Sequence, residues 1–222
     1  MFPTPATSLY DSTKSEIGLD IWGREMKIVF VTSNKGKVLE ASEIFAPLGH
    51  TVEQFLDNGE APEFSEPQSD GIEEVTISKM EQALMMLEGD PDEETAIIVE
   101  DAGLFIDSLG GFPGPYSSYV EGKLGLDGVL KIMEGDENRS AEFRAVVAFH
   151  HLGHTNIFRG VCRGTIAHEK RGRGGFGYDP IFVPSSSDGR TSAEMSTVEK
   201  SSISHRGEAL NKLIQFLAPP SM

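Results

Sequence analysis

Short apolar runs alternate with amphipathic segments along most of the chain. The runs KIVFVT (27–32), TVEQFL (51–56) and TAIIVE (95–100) have the length and β-branched content of buried strands. The segments between them repeat apolar residues every three or four positions, as one face of a helix does. This alternation of strands and helices predicts an α/β fold.

Apolar residues follow helical spacing in the segment between the first strand and Gly49, and again over 119–134 and 204–217. A further helix is predicted to begin at Asp70, because Glu73 follows at the spacing of a capping box. The sequence therefore supplies helices to cover the predicted sheet.

The second half of the chain adds antiparallel strands and glycine-rich loops. EFRAVVAFHH (142–151) and NIFRGVCRGTIAH (156–168) resemble two long strands joined through Gly153. GGFPGPYSS (110–118) is typical of a turn, and KRGRGGFGYDPIF (170–182) of a flexible loop that closes on a short strand. The sheet is thus predicted to be mixed.

Charge and cysteine content narrow the class of protein. Asp and Glu outnumber Lys and Arg by 35 to 19, which gives a formal net charge of −16. Such a charge repels nucleic-acid backbones, so no nucleic-acid partner is predicted. The lone Cys162 forms no intrachain disulfide, which fits a cytoplasmic location. No apolar run reaches the roughly 20 residues of a membrane span, so no membrane partner is predicted.

The first 25 residues are polar and lack the apolar segment of a signal peptide. We expect residues 1–25 to be an extension, disordered or arising from a mis-assigned start, with Met26 as an alternative initiator. Residues 26–222 are predicted to form a single domain, and their length also allows two lobes.

Two helix starts carry cations where the helix dipole favours anions. Lys35 and Lys37 flank Gly36 behind the first strand, and His205 and Arg206 open the last helix after Ser204, a typical N-cap. Backbone amides and a lysine at such a start can hold a phosphate. Solvated surface lysines are the alternative, and the repetition at two helix starts favours an anion shared between them.

A carboxylate pair, Glu100 and Asp101, follows the most apolar strand, where open α/β sheets place their ligands. Divalent cations such as Mg²⁺ take carboxylate and phosphate oxygens together, so a metal with a polyphosphate would compensate this charge. Glu63 or Glu66 could complete the metal site, and spacing does not choose between them. Two solvated loop carboxylates are the alternative.

The loop GGFGYDPIF places Phe176 and Tyr178 beside Asp179. An aromatic ring can stack on a base, and a carboxylate can accept hydrogen bonds from ring N–H groups. Packing is the alternative role for both rings. The six histidines show no metal-ligand spacing.

Five motifs occur together in one order: TSNKGK (32–37), VEDAGL (99–104), GGFPGPYSS (110–118), GGFGYDPIF (174–182) and AEMSTVEKSSISHRGEAL (193–210). In this combination the chain resembles the inosine triphosphate pyrophosphatase family, the XTP/dITP diphosphatases, from residue 27 to about residue 217. The resemblance implies a two-lobed α/β fold with a long central mixed sheet, flanking helices and a nucleotide cleft between the lobes, and a homodimer. It implies hydrolysis of ITP, dITP and XTP to monophosphate and pyrophosphate with Mg²⁺, for which Mn²⁺ could substitute.

The resemblance also implies roles for individual residues. Asp101 would be the catalytic acid and a metal ligand, joined at the metal by Glu63 and Glu100, while Lys37 and Lys79 would act on the phosphates. The substrate-binding set would comprise Thr32, Ser33, Asn34, Lys35, Gly36, Lys37, Lys79, Ala102, Phe176, Gly177, Tyr178, Asp179, Lys200, His205 and Arg206.

The chain departs from the family pattern at two positions. Ser65 stands where many relatives have Gln, and Ala102 where Ser or Thr is commoner. Two other functions stay open at this stage: a related pyrophosphatase acting on pyrimidine or modified nucleotides, and a nucleotide-binding module that does not hydrolyse.

Overall fold

The computed structural model describes residues 25–218. The predicted extension therefore lies outside the described residues, except for Glu25. No helix within 25–218 combines the length and the apolar character that crossing a bilayer requires.

Strands and helices alternate through the first half, as the pattern predicts. The strands are β1 Lys27–Phe30, β2 Thr51–Gln54, β3 Thr95–Ile106, β4 Pro113–Gly114, β5 Ser140–His151, β6 His154–Ile166 and β7 Phe182–Pro184. The helices are α1 Lys35–Phe45, α2 Ile72–Met86, α3 Ser117–Ile132, α4 Thr197–Ile203 and α5 His205–Leu217.

All of these strands join one seven-stranded sheet of order β2-β1-β3-β5-β6-β7, with β4 added beside β3. β1 pairs in parallel with β2 and β3, whereas β3, β5, β6 and β7 pair antiparallel in succession. The predicted α/β fold with a long mixed sheet is confirmed.

β3 extends beyond the end that the sequence predicts for it. Its parallel pairing with β1 stops where Phe30 lies opposite Ile98, yet β3 continues to Ile106 because β5 pairs with it from Ile97 onward. Glu100 and Asp101 therefore lie inside a strand, and the prediction that they end it is wrong. They lie just beyond the carboxyl end of the shorter β1, at a notch in the sheet.

Helices cover the two faces of the sheet differently. α1 and α5 pack on one face, against a cluster that includes Phe30, Ile98, Val147 and Leu213. α2 packs on the other face, against Val31, Ile97, Val99 and Ala148. α3 and β7 enclose a further cluster at the far end of β3, built on Leu104, Ile106, Met133, Ile181 and Phe182.

The cap of α2 also differs from the prediction. Gly71 is the N-cap, one residue after the predicted Asp70, so Glu74 rather than Glu73 occupies the third helical position. Ser69 Oγ accepts the Gly71 N–H at 2.9 Å and donates to Glu74 at 2.5 Å. Ser69, two residues before the N-cap, thus links the entry of the helix to Glu74, while the N-cap Gly71 has no side chain with which to cap the helix.

A row of small residues crosses the sheet beneath the start of α5. Ala102 of β3 lies opposite Ala145 of β5, which lies opposite Gly160 of β6. A Cβ on Gly160 would lie 1.9 Å from the carbonyl oxygen of His205 and 2.6 Å from the amide nitrogen of Ala209. The absence of a side chain at Gly160 lets the first turn of α5 contact the strand.

We expect Gly160→Ala to destabilise the protein by about 1–3 kcal/mol, because the added methyl must displace backbone atoms of α5. Urea unfolding measures the loss. Gly122→Ala in α3 is the matched control, since its Cβ has no neighbour within 4 Å and alanine favours a helix. Equal stability of the two variants would contradict the close packing of α5 on β6.

Candidate active site

A cleft of about 750 Å³ opens at the notch beyond β1. Its walls bring together most of the predicted site residues, namely Thr32, Ser33, Asn34, Lys37, Glu63, Lys79, Glu100, Asp101, Ala102, Phe176, Gly177, Tyr178, Asp179, Lys200, His205 and Arg206. Lys35 and Gly36 are exposed and do not line the cleft. Glu40 and Phe143 also line the cleft, although the sequence did not assign them to it. Glu66 lines it as well, and the sequence had left this residue as an alternative metal ligand.

The first turn of α1 is fixed by Asn34. Its Oδ1 accepts the N–H groups of Gly36 at 2.9 Å and Lys37 at 3.4 Å, while its own N–H donates to Thr32 Oγ1 at 3.2 Å. Two amides of this helix start are thus already bonded to Asn34. The cation that this turn presents to the cleft is the side chain of Lys37.

Lys37 and Arg206 converge on Glu100 from two helices. Lys37 Nζ donates to the Glu100 carbonyl oxygen at 3.1 Å and lies 3.7 Å from Oε1. Arg206 Nε donates to Glu100 Oε2 at 2.7 Å, and its Nη1 donates to Glu40 Oε2 at 2.6 Å. The two predicted cationic helix starts therefore do meet, and in the structure their shared anion is a buried glutamate.

Glu40 is a site residue that sequence reasoning missed. It lies one turn after Lys37 on α1, so it shares the helix face that looks toward the cleft. That spacing was the available signal. Its carboxylate completes the buried ion-pair network around Arg206.

Burial and neighbouring opposite charges shift the pKa values of Glu100 and Lys37 in opposite directions. Burial favours the neutral form of Glu100, but Arg206 and Lys37 outweigh it and lower its pKa from 4.5 to about 2. Burial lowers the pKa of Lys37 despite the neighbouring Glu100, and Arg206 adds to that lowering. Glu100 is therefore ionised throughout the neutral range.

The depressed pKa of Glu100 predicts a pH-dependent contribution to stability. A carboxylate with a lower pKa in the folded state stabilises above its unfolded pKa, and this contribution disappears as the pH falls from about 4.5 toward 2. We expect wild type to be more stable than Glu100→Gln at neutral pH, by a margin that narrows below pH 4.5. Urea unfolding across this range tests it; a margin independent of pH would contradict the assignment.

Asp101 and Lys79 form the second ion pair of the cleft. Lys79 Nζ lies 2.8 Å from Asp101 Oδ1 and 2.7 Å from Glu66 Oε1. Burial raises the pKa of Asp101 even though Lys79 opposes the shift. Burial also opposes the charge on Lys79, but Asp101 and Glu66 outweigh it and raise the pKa of the lysine.

The two neighbouring carboxylates serve opposite sides of β3. Side chains alternate along a strand, so Glu100 points toward α1 and α5 while Asp101 points toward Lys79 on α2. Glu100 Oε1 and Asp101 Oδ2 are both buried without a hydrogen-bond partner among the described residues. A carboxylate oxygen without a hydrogen bond thus lies on each side of the notch.

The predicted metal ligands are not assembled in advance. Among residues 25–218 no three His, Cys, Asp or Glu side chains are grouped as a metal site. Glu63 lines the cleft but is exposed, whereas Glu100 is already paired with two cations. Asp101 Oδ2 is the buried oxygen left free on the α2 side.

At the other end of the cleft, Asp179 organises the aromatic loop. Its Oδ2 accepts the Phe176 N–H at 2.8 Å and a hydrogen bond from Lys200 Nζ at 2.7 Å. Phe176 is 49% exposed, and the centroid of its ring lies 4.5 Å from the Lys200 ammonium. Tyr178 is buried instead and donates to the Ser117 carbonyl at 2.8 Å, so its ring anchors the loop to α3.

His205 faces the cleft as a neutral ring. It stacks on Phe143 with ring centroids 4.8 Å apart, and burial lowers its pKa to about 3. A neutral imidazole carries one donor and one acceptor nitrogen. This end of the cleft therefore combines an exposed aromatic face with polar groups suited to a planar heterocycle.

Comparison with known proteins identifies the family of the chain. A sequence model described as the Ham1 family matches residues 28–216. The chain belongs to the Ham1 family. The predicted resemblance to the XTP/dITP diphosphatases is thus confirmed.

Several relatives of this Ham1 protein carry the name dITP/XTP pyrophosphatase. That of Pyrococcus horikoshii is 44% identical over 86% of this chain and 97% of its own length. That of Methanopyrus kandleri is 46% identical over 86% of this chain and 96% of its own length.

Solved Ham1 structures share the fold. The Staphylococcus aureus Ham1 protein superposes with a TM-score of 0.72 at 32% identity, covering 86% of this chain and 97% of that one. A HAM1 protein from Coxiella burnetii gives a TM-score of 0.74 at 33% identity, covering 86% of this chain and 98% of that one.

Proposed function

We propose that this Ham1 protein hydrolyses ITP, dITP and XTP to the nucleoside monophosphate and pyrophosphate, and so removes deaminated purines from the nucleotide pool. The names of its relatives support the reaction class. The observation that carries the proposal is the cleft itself, which brings Lys37 and Lys79 together with Asp101, whose Oδ2 has no hydrogen-bond partner among the described residues.

The substrate would lie with its triphosphate at the notch and its base at the aromatic loop. Lys37 and Lys79 supply the positive charge that a polyphosphate needs, and neutralisation with positioning accounts for most of the catalysis of phosphoryl chemistry. Phe176 offers an exposed ring on which a base can stack. The cleft volume of about 750 Å³ is in the range of small-molecule sites.

The residues present fit a magnesium ion, with Mn²⁺ as a substitute. Mg²⁺ is usually held by one or two carboxylates together with substrate phosphates, so a preassembled three-carboxylate site is not required. Asp101, through its free Oδ2, and Glu63, exposed in the same cleft, would hold it. When bound, the ion would supply electrostatic stabilisation of the charge on the phosphates. Glu100 contributes instead by fixing Lys37 and Arg206.

Asp101 is the proposed proton acceptor for the attacking water. Its Oδ1 accepts a hydrogen bond from Lys79, which fixes the carboxylate in the wall of the cleft for this role. The raised pKa brings this carboxylate closer to the basicity that general-base catalysis requires. Attack at the α-phosphorus would release pyrophosphate.

Base selection would rest on the 6-oxo group. A carbonyl oxygen at this position accepts hydrogen bonds from Arg206 or from the neutral His205, whereas the 6-amino group of adenine would leave such donors unpaired. Buried donors without partners cost more free energy than a missing apolar contact. Asp179 and Lys200, bonded to each other in the cleft, would contact the same base through its ring N–H and carbonyl groups.

A pyrophosphate-release assay tests the proposal, with ITP, XTP, GTP and dUTP compared under one condition in the presence of Mg²⁺. We expect ITP and XTP to be preferred. A preference for dUTP would identify a pyrimidine pyrophosphatase, and binding without turnover at neutral and alkaline pH would identify a module that does not hydrolyse. Omission of the divalent cation, with a chelator present, should abolish turnover.

We further propose that the enzyme works as a homodimer in the cytoplasm, with the nucleotide as its small-molecule partner and no nucleic-acid or membrane partner. The single cysteine fits the cytoplasmic location, and the net charge of −16 disfavours a nucleic-acid partner. Sedimentation at several protein concentrations measures the oligomeric state.

A further inference from the structure

We propose that Glu66 occupies the place of a substrate phosphate oxygen on Lys79, and that a polyphosphate must displace its carboxylate in order to bind. The inference rests on the proposed function for the chemical class of the ligand. It concerns a residue that the sequence left only as an alternative metal ligand.

The position of Lys79 between two carboxylates motivates the proposal. Its ammonium lies 2.8 Å from Asp101 Oδ1 and 2.7 Å from Glu66 Oε1. One cation thus faces two anions, so the group formed by these three side chains is net negative. A polyphosphate approaching this lysine meets repulsion until one carboxylate leaves.

Glu66, rather than Asp101, is the carboxylate that can leave. The Asp101 side chain is 12% exposed and fixed within β3, whereas the Glu66 side chain is 52% exposed on the segment between β2 and α2. A half-exposed ion pair contributes little stability, because water replaces the lost partner. Rotation of the Glu66 side chain into solvent is therefore inexpensive.

The backbone beside Glu66 is fixed by hydrogen bonds, so the ion pair between Glu66 and Lys79 has a defined position. Gln82 of α2 accepts the Ser65 N–H at 2.8 Å and donates to the Ser65 carbonyl at 2.9 Å. Phe64 packs against the cluster beneath α2, and its ring centroid lies 6.0 Å from Lys79 Nζ. The chain is thus held so that the next side chain, Glu66, reaches Lys79 while its carboxylate stays free to move.

Binding of inorganic tripolyphosphate, measured by calorimetry without a divalent cation, tests the proposal independently of turnover. Glu66→Gln keeps the size and an acceptor oxygen but removes the competing charge. We expect it to bind tripolyphosphate about three- to fivefold more tightly than wild type, the effect of one half-exposed ion pair. Glu60→Gln, an exposed position in the same segment that does not line the cleft, removes the same charge and should match wild type.

Steady-state kinetics of Glu66→Gln should show a change in KM without a comparable change in kcat. In Glu66→Gln the KM for ITP should fall by a similar factor while kcat changes by less than about twofold. Unchanged, weaker or unmeasurable tripolyphosphate binding by this variant would overturn the proposal. So would a rise in the Mg²⁺ concentration needed for half-maximal activity, which would make Glu66 a metal ligand. Tighter tripolyphosphate binding without any ITP hydrolysis would instead overturn the proposed function alone.

Discussion

Asp101→Asn should reduce pyrophosphate release from ITP by about a thousandfold, the middle of the range for loss of a general base. The amide cannot accept the proton of the attacking water, yet its oxygen can still accept the hydrogen bond that Lys79 Nζ now donates to Oδ1. Nucleotide affinity should therefore be comparable to wild type, as calorimetry with ITP in the absence of turnover can measure.

Asp107→Asn is the matched control for this variant. Asp107 lies directly after β3 and is exposed, so the same substitution there removes a charge without reaching the cleft. Turnover by Asp101→Asn above about one-tenth of the wild-type rate would remove Asp101 from the catalytic role, since that loss corresponds to only 1.4 kcal/mol.

Arg206→Met should destabilise the fold by about 3–5 kcal/mol, because it removes the cation from a buried ion-pair network. The Glu100 side chain is fully buried and would keep only Lys37, 3.7 Å away, as a cationic partner. Glu40 would lose the guanidinium 2.6 Å from its carboxylate. Urea unfolding at neutral pH measures the loss.

A double variant separates the lost charge pair from lost packing. In Arg206→Met combined with Glu100→Gln the buried carboxylate is also removed, so most of the stability should return. Failure of the second substitution to restore stability would show that the arginine contributes through the packing of its stem. A cost below about 1 kcal/mol for the single variant, typical of exposed pairs, would contradict the buried network itself.

The architecture could be predicted from the sequence because local patterns encode it. The alternation of apolar runs with amphipathic segments gave an α/β fold, and the long runs at 142–151 and 156–168 became β5 and β6. The ordered motifs then located the cleft. Each of these signals lies within a short stretch of chain and does not depend on which other segment packs against it.

The extent of β3 could not be predicted in this way. A strand ends where its partners end, and Glu100 and Asp101 remain within β3 because β5 pairs with them as Val147 and Val146. Polar residues that follow an apolar run usually indicate that the chain leaves the sheet. Here Glu100 and Asp101 stay in the strand, because the notch beyond β1 leaves room for their side chains. The prediction failed because pairing partners are a tertiary property.

The partners of the cations in the cleft were the second feature that could not be predicted from the sequence. Arg206 meets Glu40 across 166 positions of sequence, and Lys79 meets Glu66 through a segment without regular structure. The cationic helix starts correctly suggested that anions lie nearby. The sequence did not show that side chains of the protein itself hold these places, because several acidic residues were equally available.

The notch beyond β1 has a consequence for how this site can change through evolution. The consecutive residues Glu100 and Asp101 lie on opposite walls of one cavity. The pKa of Glu100 is lowered, which keeps it ionised, whereas the pKa of Asp101 is raised, which makes it more basic. An insertion or deletion of one residue upstream in β3 would exchange the two walls and abolish both roles at once. The dipeptide is therefore expected to be inherited as a unit, with length changes tolerated in the flanking loops and not within the strand.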